Sequence, residues 1–175
     1  MTKKITYTAL YTAVAVIMHY LESLLPVLFP FAPGVKLGLA NVVSLVALFT
    51  LSTGQAYIIT TVRCIIGALM GGNLFAVIYS LTGGIIALTG QVILLKTLFP
   101  KVTTVGISVF GSLLHNAVQL SVASIVVWTN LIAYLPYMML TGVVTGLLTG
   151  LTARFTVLSI PERFYQTNKT NNENN

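Results

Sequence analysis

Charged side chains are scarce in this chain of 175 residues, and acidic ones are the scarcest. Only 7% of the residues are charged, and three acids stand against nine lysines and arginines. Prenyl and phosphoryl chemistry normally requires pairs of aspartates or glutamates to hold magnesium. Glu22 is the single acid in the apolar part of the sequence, so no catalytic centre of this kind is predicted.

Cysteine is limited to Cys64, which lies inside an apolar segment. One thiol forms neither an intramolecular disulfide nor a cysteine-based metal cage, so Cys64 is predicted to be a packing residue. Two histidines on separate segments, His19 and His115, do not make a metal site. Neither a metal nor another cofactor is predicted.

The positive charge of the chain, +6 at neutral pH, raises the question of a nucleic-acid partner. The basic residues are scattered, however, and most of them flank apolar runs rather than forming a basic stretch or an aromatic-interleaved groove. Nucleic acid is therefore not a predicted partner. The distribution of charge indicates membrane topology instead.

Apolar residues make up 56% of the chain, which together with the few charges is unlike a soluble domain. They form runs of about 20 residues, the length at which a helix crosses the ~30 Å hydrocarbon core of a bilayer. The apolar character continues to Leu158, so the first segment is predicted to stay as a helix and not to be a removed signal peptide. The predicted fold is an all-α membrane bundle of about six transmembrane helices: 5–24, 37–51, 55–70, 74–98, 102–128 and 131–158.

Residues 1–160 are predicted to form a single transmembrane domain, and residues 161–175 a polar, disordered cytoplasmic tail. The proline-dense segment 26–34 is predicted to lie over the membrane face or to fold back into the bundle. The positive-inside rule favours cytoplasmic N- and C-termini in a multi-pass plasma-membrane protein. That orientation places most of the basic residues in the cytoplasm: Lys3, Lys4, Lys96, Lys101, Arg154, Arg163 and Lys169.

Arg63 lies near the middle of the third predicted helix, where an arginine costs about 2.5 kcal/mol or more to insert into a membrane. A partner inside the bundle must therefore compensate it. The sequence leaves two interpretations open: a structural arginine held by helix carbonyls or by Glu22, and a ligand contact.

A stripe of polar and small residues runs along the fifth predicted helix. The three- and four-residue spacing places its members on one face of that helix, which must then contact protein or a cavity. Hydrogen bonds between helices account for the serines, but the larger side chains bring more donors and acceptors than packing requires, which favours the wall of a ligand pocket. The members are Ser108, Gly111, Ser112, His115, Asn116 and Gln119.

Three further residues are candidate substrate contacts. Lys36 follows the proline-dense segment near the predicted outer mouth, where it either attracts an anionic ligand or snorkels to lipid phosphates. Asn41 either contacts the ligand or forms a hydrogen bond between helices. Tyr79 either lines the same cavity or is a packing residue.

Small residues recur at four-residue spacing in the first and sixth helices. Gly142, Gly146 and Gly150 each follow a threonine and are predicted to pack inside the bundle. For Ala9 and Ala13 the alternatives are internal packing and an exposed face for docking onto another membrane subunit.

In its motifs the chain resembles the Gx transporter family, whose members are also labelled heptaprenyl diphosphate synthase component I. The resemblance covers nearly the whole membrane portion. It rests on Lys3-Lys4-Ile5-Thr6, Pro33-Gly34-Val35-Lys36-Leu37-Gly38-Leu39-Ala40-Asn41, Arg63 with Gly67-Ala68-Leu69, Tyr79-Ser80-Leu81-Thr82-Gly83-Gly84, His115-Asn116 with Gln119, and the threonine-glycine ladder of the last helix.

That family is similar to the substrate-binding S components of energy-coupling-factor (ECF) transporters, which are six-helix membrane proteins. The resemblance implies a small-molecule ligand in the outer half of the bundle, near Lys36 and Asn41. It also implies that Ala9 and Ala13 dock on a transmembrane coupling subunit, and that separate ATPase subunits drive transport by toppling the bundle. This chain has no Gly-x-x-x-x-Gly-Lys-Ser/Thr loop of its own.

The synthase label implies a different partner, a prenyl synthase that makes the isoprenoid chain of a quinone. The Asp-rich motifs of prenyl synthases are absent from this sequence, so such a role is predicted to be non-catalytic. Two hypotheses follow: a substrate-capturing subunit for uptake of a small, anionic or strongly hydrogen-bonding molecule, and an accessory subunit of a prenyl, quinone or membrane redox system.

Overall fold

The computed structural model describes residues 2–24, 38–70 and 74–161. Within these ranges the predicted helices are confirmed, with boundaries that differ from the prediction by a few residues. Lys36, the proline-dense segment and residues 162–175 of the predicted tail lie outside the described residues. The helices are α1 (Thr2–Leu24), α2 (Leu39–Thr50), α3 (Thr53–Met70), α4 (Leu74–Leu98), α5 (Thr104–Val127) and α6 (Leu135–Ser159), with a 3₁₀ turn at Ile132–Tyr134.

Four of the described helical segments are long and apolar enough to cross a membrane: Thr53–Met70, Phe75–Leu98, Thr104–Val127 and Ile132–Ser159. Large hydrophobic side chains such as Phe75, Ile93 and Phe155 are exposed on the outside of the bundle. An apolar surface of this kind is stable against lipid tails and not against water. The chain is therefore a helical membrane protein.

The second helix is short. With 12 residues, α2 extends only about 18 Å at 1.5 Å per residue, less than the thickness of the hydrocarbon core. It begins after Gly38, whose φ of 81° lies in the left-handed region that glycine adopts without steric cost. The backbone N–H of Gly38 donates a hydrogen bond to Oε1 of Glu22, which fixes the start of α2 against the end of α1.

The apolar core fills the half of the bundle that contains the first residues of α1 and the last residues of α6. Fully buried side chains such as Leu45, Ile59 and Ile107 pack there. At this end Nε2 of Gln55 donates to the backbone oxygen of Lys4 (3.1 Å) and to Oγ1 of Thr8 (2.8 Å), which joins α3 to α1. The opposite half, which the charge pattern predicts to face outward, holds a larger group of buried polar side chains, among them Glu22, Arg63 and Asn116.

The threonine-glycine ladder of α6 packs against α5, as its spacing predicts. A Cβ atom built on Gly146 would lie 2.6 Å from the Cα of Val109, and one on Gly150 would lie 2.8 Å from the Cα of Val105. Only glycine permits so close an approach of the two backbones. The buried Cys64 is likewise a packing residue, because its Sγ would lie 2.9 Å from a Cβ built on Gly84.

Candidate functional site

Arg63 is buried in the bundle, with 4% of its surface exposed. Its Nε donates to Oγ of Ser44 (2.9 Å) and its Nη2 donates to Oδ1 of Asn41 (2.6 Å). Oγ1 of Thr60 also donates to the Ser44 oxygen (3.2 Å). The acceptors are neutral side chains of α2, whereas the sequence suggested helix carbonyls or Glu22. These partners carry no charge, and Arg63 also lines a polar cavity whose wall includes one acid, Glu22.

The polar stripe of α5 faces the interior, as its spacing predicts. The helix begins after Thr103, whose side chain accepts a hydrogen bond from the N–H of Gly106. Asn116 is buried, and its Nδ2 donates to the backbone oxygen of Met138 on α6 (2.7 Å). This bond uses one of the two amide N–H groups and joins α5 to α6.

A polar cavity of about 120 Å³ lies where the six helices meet in the predicted outer half. It brings together five of the residues predicted from the sequence: Asn41, Arg63, His115, Asn116 and Gln119. Gly83 leaves space for two of them, since a Cβ atom there would lie 3.0 Å from Cγ of Gln119 and 3.1 Å from Cε1 of His115. The convergence of one cation with several amide and imidazole groups is typical of a small-molecule site.

Helix α1 adds two residues that the sequence did not assign to the site. His19 and Glu22 are both buried and both line the polar cavity. The imidazole of His19 packs directly on Gly67 of α3, where a Cβ atom would overlap it. The spacing of three residues places His19 and Glu22 on one face of α1, and this was the available sequence signal.

A second, smaller cavity of about 20 Å³ lies deeper in the bundle. It shares Arg63, Ser112 and His115 with the polar cavity. Two hydroxyl oxygens in its wall, Oγ of Ser108 and Oγ1 of Thr149, are buried and form no hydrogen bond within the described part of the chain. Buried hydroxyls without a partner are unusual, because desolvation of each is uncompensated. We call this space the deep cavity.

A third space, the lateral cavity, adjoins the polar cavity at Gln119 and has a volume of about 260 Å³. Its walls are mostly apolar. Tyr79 lies here and is absent from the lining of the polar cavity, which was one of the two places that the sequence suggested for it. The lining residues are Tyr79, Gln119, Leu120, Ala123, Leu131, Tyr134 and Met138.

Ala9 and Ala13 are exposed on the outer side of α1. They line an apolar groove of about 830 Å³ between α1 and α3, together with Val16, Ile58 and Ile66. The groove lies on the surface of the bundle, whereas the polar cavity is internal. The two small-residue positions are thus separate from the candidate ligand site.

Among residues 2–24, 38–70 and 74–161, no three His, Cys, Asp or Glu side chains form a group that could hold a metal ion. Comparison with known proteins gives one family: the family described as heptaprenyl diphosphate synthase component I matches residues 11–156. No curated protein and no solved structure matches the chain.

Proposed function

The chain belongs to the heptaprenyl diphosphate synthase component I family, and we propose that it is the substrate-binding membrane subunit of an uptake transporter. Its ligand is a small nutrient or precursor that is anionic or rich in hydrogen-bonding groups. The subunit crosses the plasma membrane several times, with both termini in the cytoplasm.

The observation that carries this proposal is the polar cavity around Arg63. Placing a cation in a membrane bundle is costly, and here its hydrogen bonds go to the neutral side chains of Asn41 and Ser44. Such an arrangement is stabilised further when an anionic or strongly accepting ligand binds beside it. A purely structural arginine needs no adjoining cavity of about 120 Å³.

Uptake against a gradient requires an energy source, and the sequence has no phosphate-binding loop of its own. We therefore propose that ATPase subunits and a transmembrane coupling subunit of the ECF type assemble with it. The exposed groove at Ala9 and Ala13 supports this part of the proposal, since small residues permit close contact with a helix of another subunit.

Native mass spectrometry of the detergent-purified protein, followed by extraction of small molecules, tests the ligand-binding role. We expect a compound that copurifies with the wild type and is lost from Arg63→Ala. Arg154→Ala is the matched control, because Arg154 is exposed near the end of α6. A folded Arg63→Ala protein that retains the compound would remove Arg63 from the site.

The second candidate function is that of an accessory subunit, and the family name favours it. A component of a synthase would bind a soluble prenyl synthase and retain no ligand. Affinity purification from the native host separates the two roles. Recovery of ATPase subunits supports uptake, whereas an empty protein recovered with a prenyl synthase overturns it.

A further inference from the structure

The deep, polar and lateral cavities follow one another along α5. Ser108 lines the deep cavity, Ser112 and Asn116 line the polar cavity, and Leu120 and Ala123 line the lateral cavity. Ser108 and Ala123 are about 22 Å apart along the helix axis at 1.5 Å per residue. Neighbouring cavities share lining residues, among them Arg63 and His115 between the deep and polar cavities and Gln119 between the polar and lateral ones. A single molecule that occupies all three must therefore pass beside these side chains.

The deep end is built to accept oxygen atoms with negative charge. Ser108 and Thr149 are 1% and 3% exposed, and neither hydroxyl has a partner in the described ranges. Arg63 lines the same space and uses only Nε and Nη2 for its bonds to α2. About 20 Å³ is enough for one oxygen atom or one water molecule. An oxyanion beside Arg63 would give both hydroxyls an acceptor and would compensate the cation.

The polar cavity limits the size of the charged group. Its volume of about 120 Å³ is below that of an engineered cavity of ~150 Å³ that holds benzene. A phosphate or carboxylate group fits this space, whereas a nucleotide does not fit within it.

The lateral end has the opposite chemistry. Leu120, Leu131 and Met138 form its walls with two tyrosines, and its volume of about 260 Å³ is the largest of the three. A space of this size and lining favours an apolar group. Gln119 stands at the boundary, where the polar and apolar parts of a ligand would meet.

We infer that the ligand is an amphipathic oxyanion: its phosphate or carboxylate head lies beside Arg63, Ser108 and Thr149, and its short hydrocarbon body lies in the lateral cavity. This inference rests on the proposed ligand-binding function and narrows its substrate class. It excludes a ligand that is polar over its whole surface.

Isothermal titration of the purified protein with matched probes tests the inference. Methyl phosphate and pentyl phosphate carry the same head, pentanol carries the body alone, and hexanoate replaces the phosphate by a carboxylate. Each buried methylene contributes about fourfold in affinity, so pentyl phosphate or hexanoate should bind at least about tenfold more tightly than methyl phosphate, and pentanol should not bind. Titration into protein-free micelles corrects for partitioning of the probes.

Variants locate the two ends of the probe. Ala123→Phe and Leu131→Trp each place a larger side chain in the lateral cavity. Either variant should bind pentyl phosphate no more tightly than methyl phosphate, while methyl phosphate still binds. The double variant Ser108→Ala, Thr149→Val should lower the affinity for methyl phosphate and for pentyl phosphate by about tenfold. Thr152→Val is the control, because the Thr152 hydroxyl is exposed and bonds to the carbonyl oxygen of Leu148 in its own helix.

The outcomes separate this inference from the proposed function. Equal binding of methyl and pentyl phosphate, or a chain-length advantage that survives in folded Ala123→Phe and Leu131→Trp, overturns the amphipathic class. Failure of every probe, with a fully polar compound found by mass spectrometry, overturns the class and leaves the ligand-binding function standing. Failure of every probe with no copurifying compound overturns both.

Discussion

Asn41 and Arg63, 22 positions apart in sequence, are joined by a hydrogen bond of 2.6 Å from Nη2 of Arg63 to Oδ1 of Asn41. Asn41 lies in the first turn of α2, three residues after Gly38, whose N–H binds Glu22 at the end of α1. The guanidinium is thus connected through α2 to the end of α1. A change in the position of α1 relative to α2 would therefore alter the candidate ligand site.

Ser44→Ala should remove one of the hydrogen bonds that position Arg63. Both Nε of Arg63 and the hydroxyl of Thr60 would lose their acceptor in a buried place, which costs about 1–3 kcal/mol of stability. Thermal unfolding in detergent and retention of the copurifying compound measure the two effects. Ser121→Ala should change neither, because Ser121 is exposed and bonds to Ala117 in its own helix. Equal behaviour of the two variants would contradict the positioning role of Ser44.

Gly67→Ala should destabilise the contact between α1 and α3. Its Cβ would lie 2.5 Å from Cγ of His19, so the imidazole must leave its place in the cavity wall, at a cost of about 1–3 kcal/mol. The matched substitution Gly54→Ala, also in α3, meets nothing within 4 Å. Differential scanning fluorimetry of both variants checks this, and an unchanged melting temperature for Gly67→Ala would show that His19 moves freely.

Replacement of both Ala9 and Ala13 by leucine should prevent docking of a coupling subunit and leave ligand retention intact. The two side chains would fill the groove on α1 and keep another helix at a distance. Copurification of the ATPase complex and native mass spectrometry measure the two properties. Ala133→Leu, at an exposed position in the 3₁₀ turn, provides the control. Undiminished copurification by the double variant would exclude this groove as the docking surface.

A cysteine introduced at the position of Trp128 should react with a reagent outside the cell, and one introduced at the position of Lys3 only with a reagent inside it. Trp128 ends α5 with 93% of its surface exposed, at the end of the bundle opposite the lysines of α1. In a Cys64→Ala background, an impermeant maleimide should modify Trp128→Cys in whole cells and Lys3→Cys only after permeabilisation. The reverse pattern would invert the topology and place the polar cavity on the cytoplasmic side.

The helices were predictable because each depends on its own segment. The lengths of the apolar runs and the glycines between them determine where a helix crosses a bilayer, and even the shortness of α2 was visible in the sequence. The inward face of α5 was equally predictable from its own sequence, because the spacing of the polar residues from Ser108 to Gln119 defines one side of that helix.

A hydrogen bond between helices was one of the two alternatives for Asn41, but its pairing with Arg63 was not predictable, because that depends on the rotation of α2 against α3. Ser44 looks like an ordinary small residue in an apolar run, and only the packed bundle brings its hydroxyl to Nε of Arg63. The same applies to Ser108 and Thr149, which come from α5 and α6 and meet in the deep cavity. The spacing of polar residues along one helix does not specify which neighbouring helix those residues contact.

The unequal halves of the bundle have an electrical consequence. The half filled by Leu45, Ile59 and Ile107 is a poor dielectric, whereas the half with the polar cavity is more polarisable, so most of the membrane voltage falls across the apolar half. A full crossing of the field is worth about 2.3 kcal/mol per charge at 100 mV. If the polar half faces outward, as the charge pattern predicts, an anion that reaches Arg63 from outside crosses only the part of the voltage that falls across that half, and capture would depend weakly on membrane potential. Release toward the cytoplasm would then meet most of the opposing voltage.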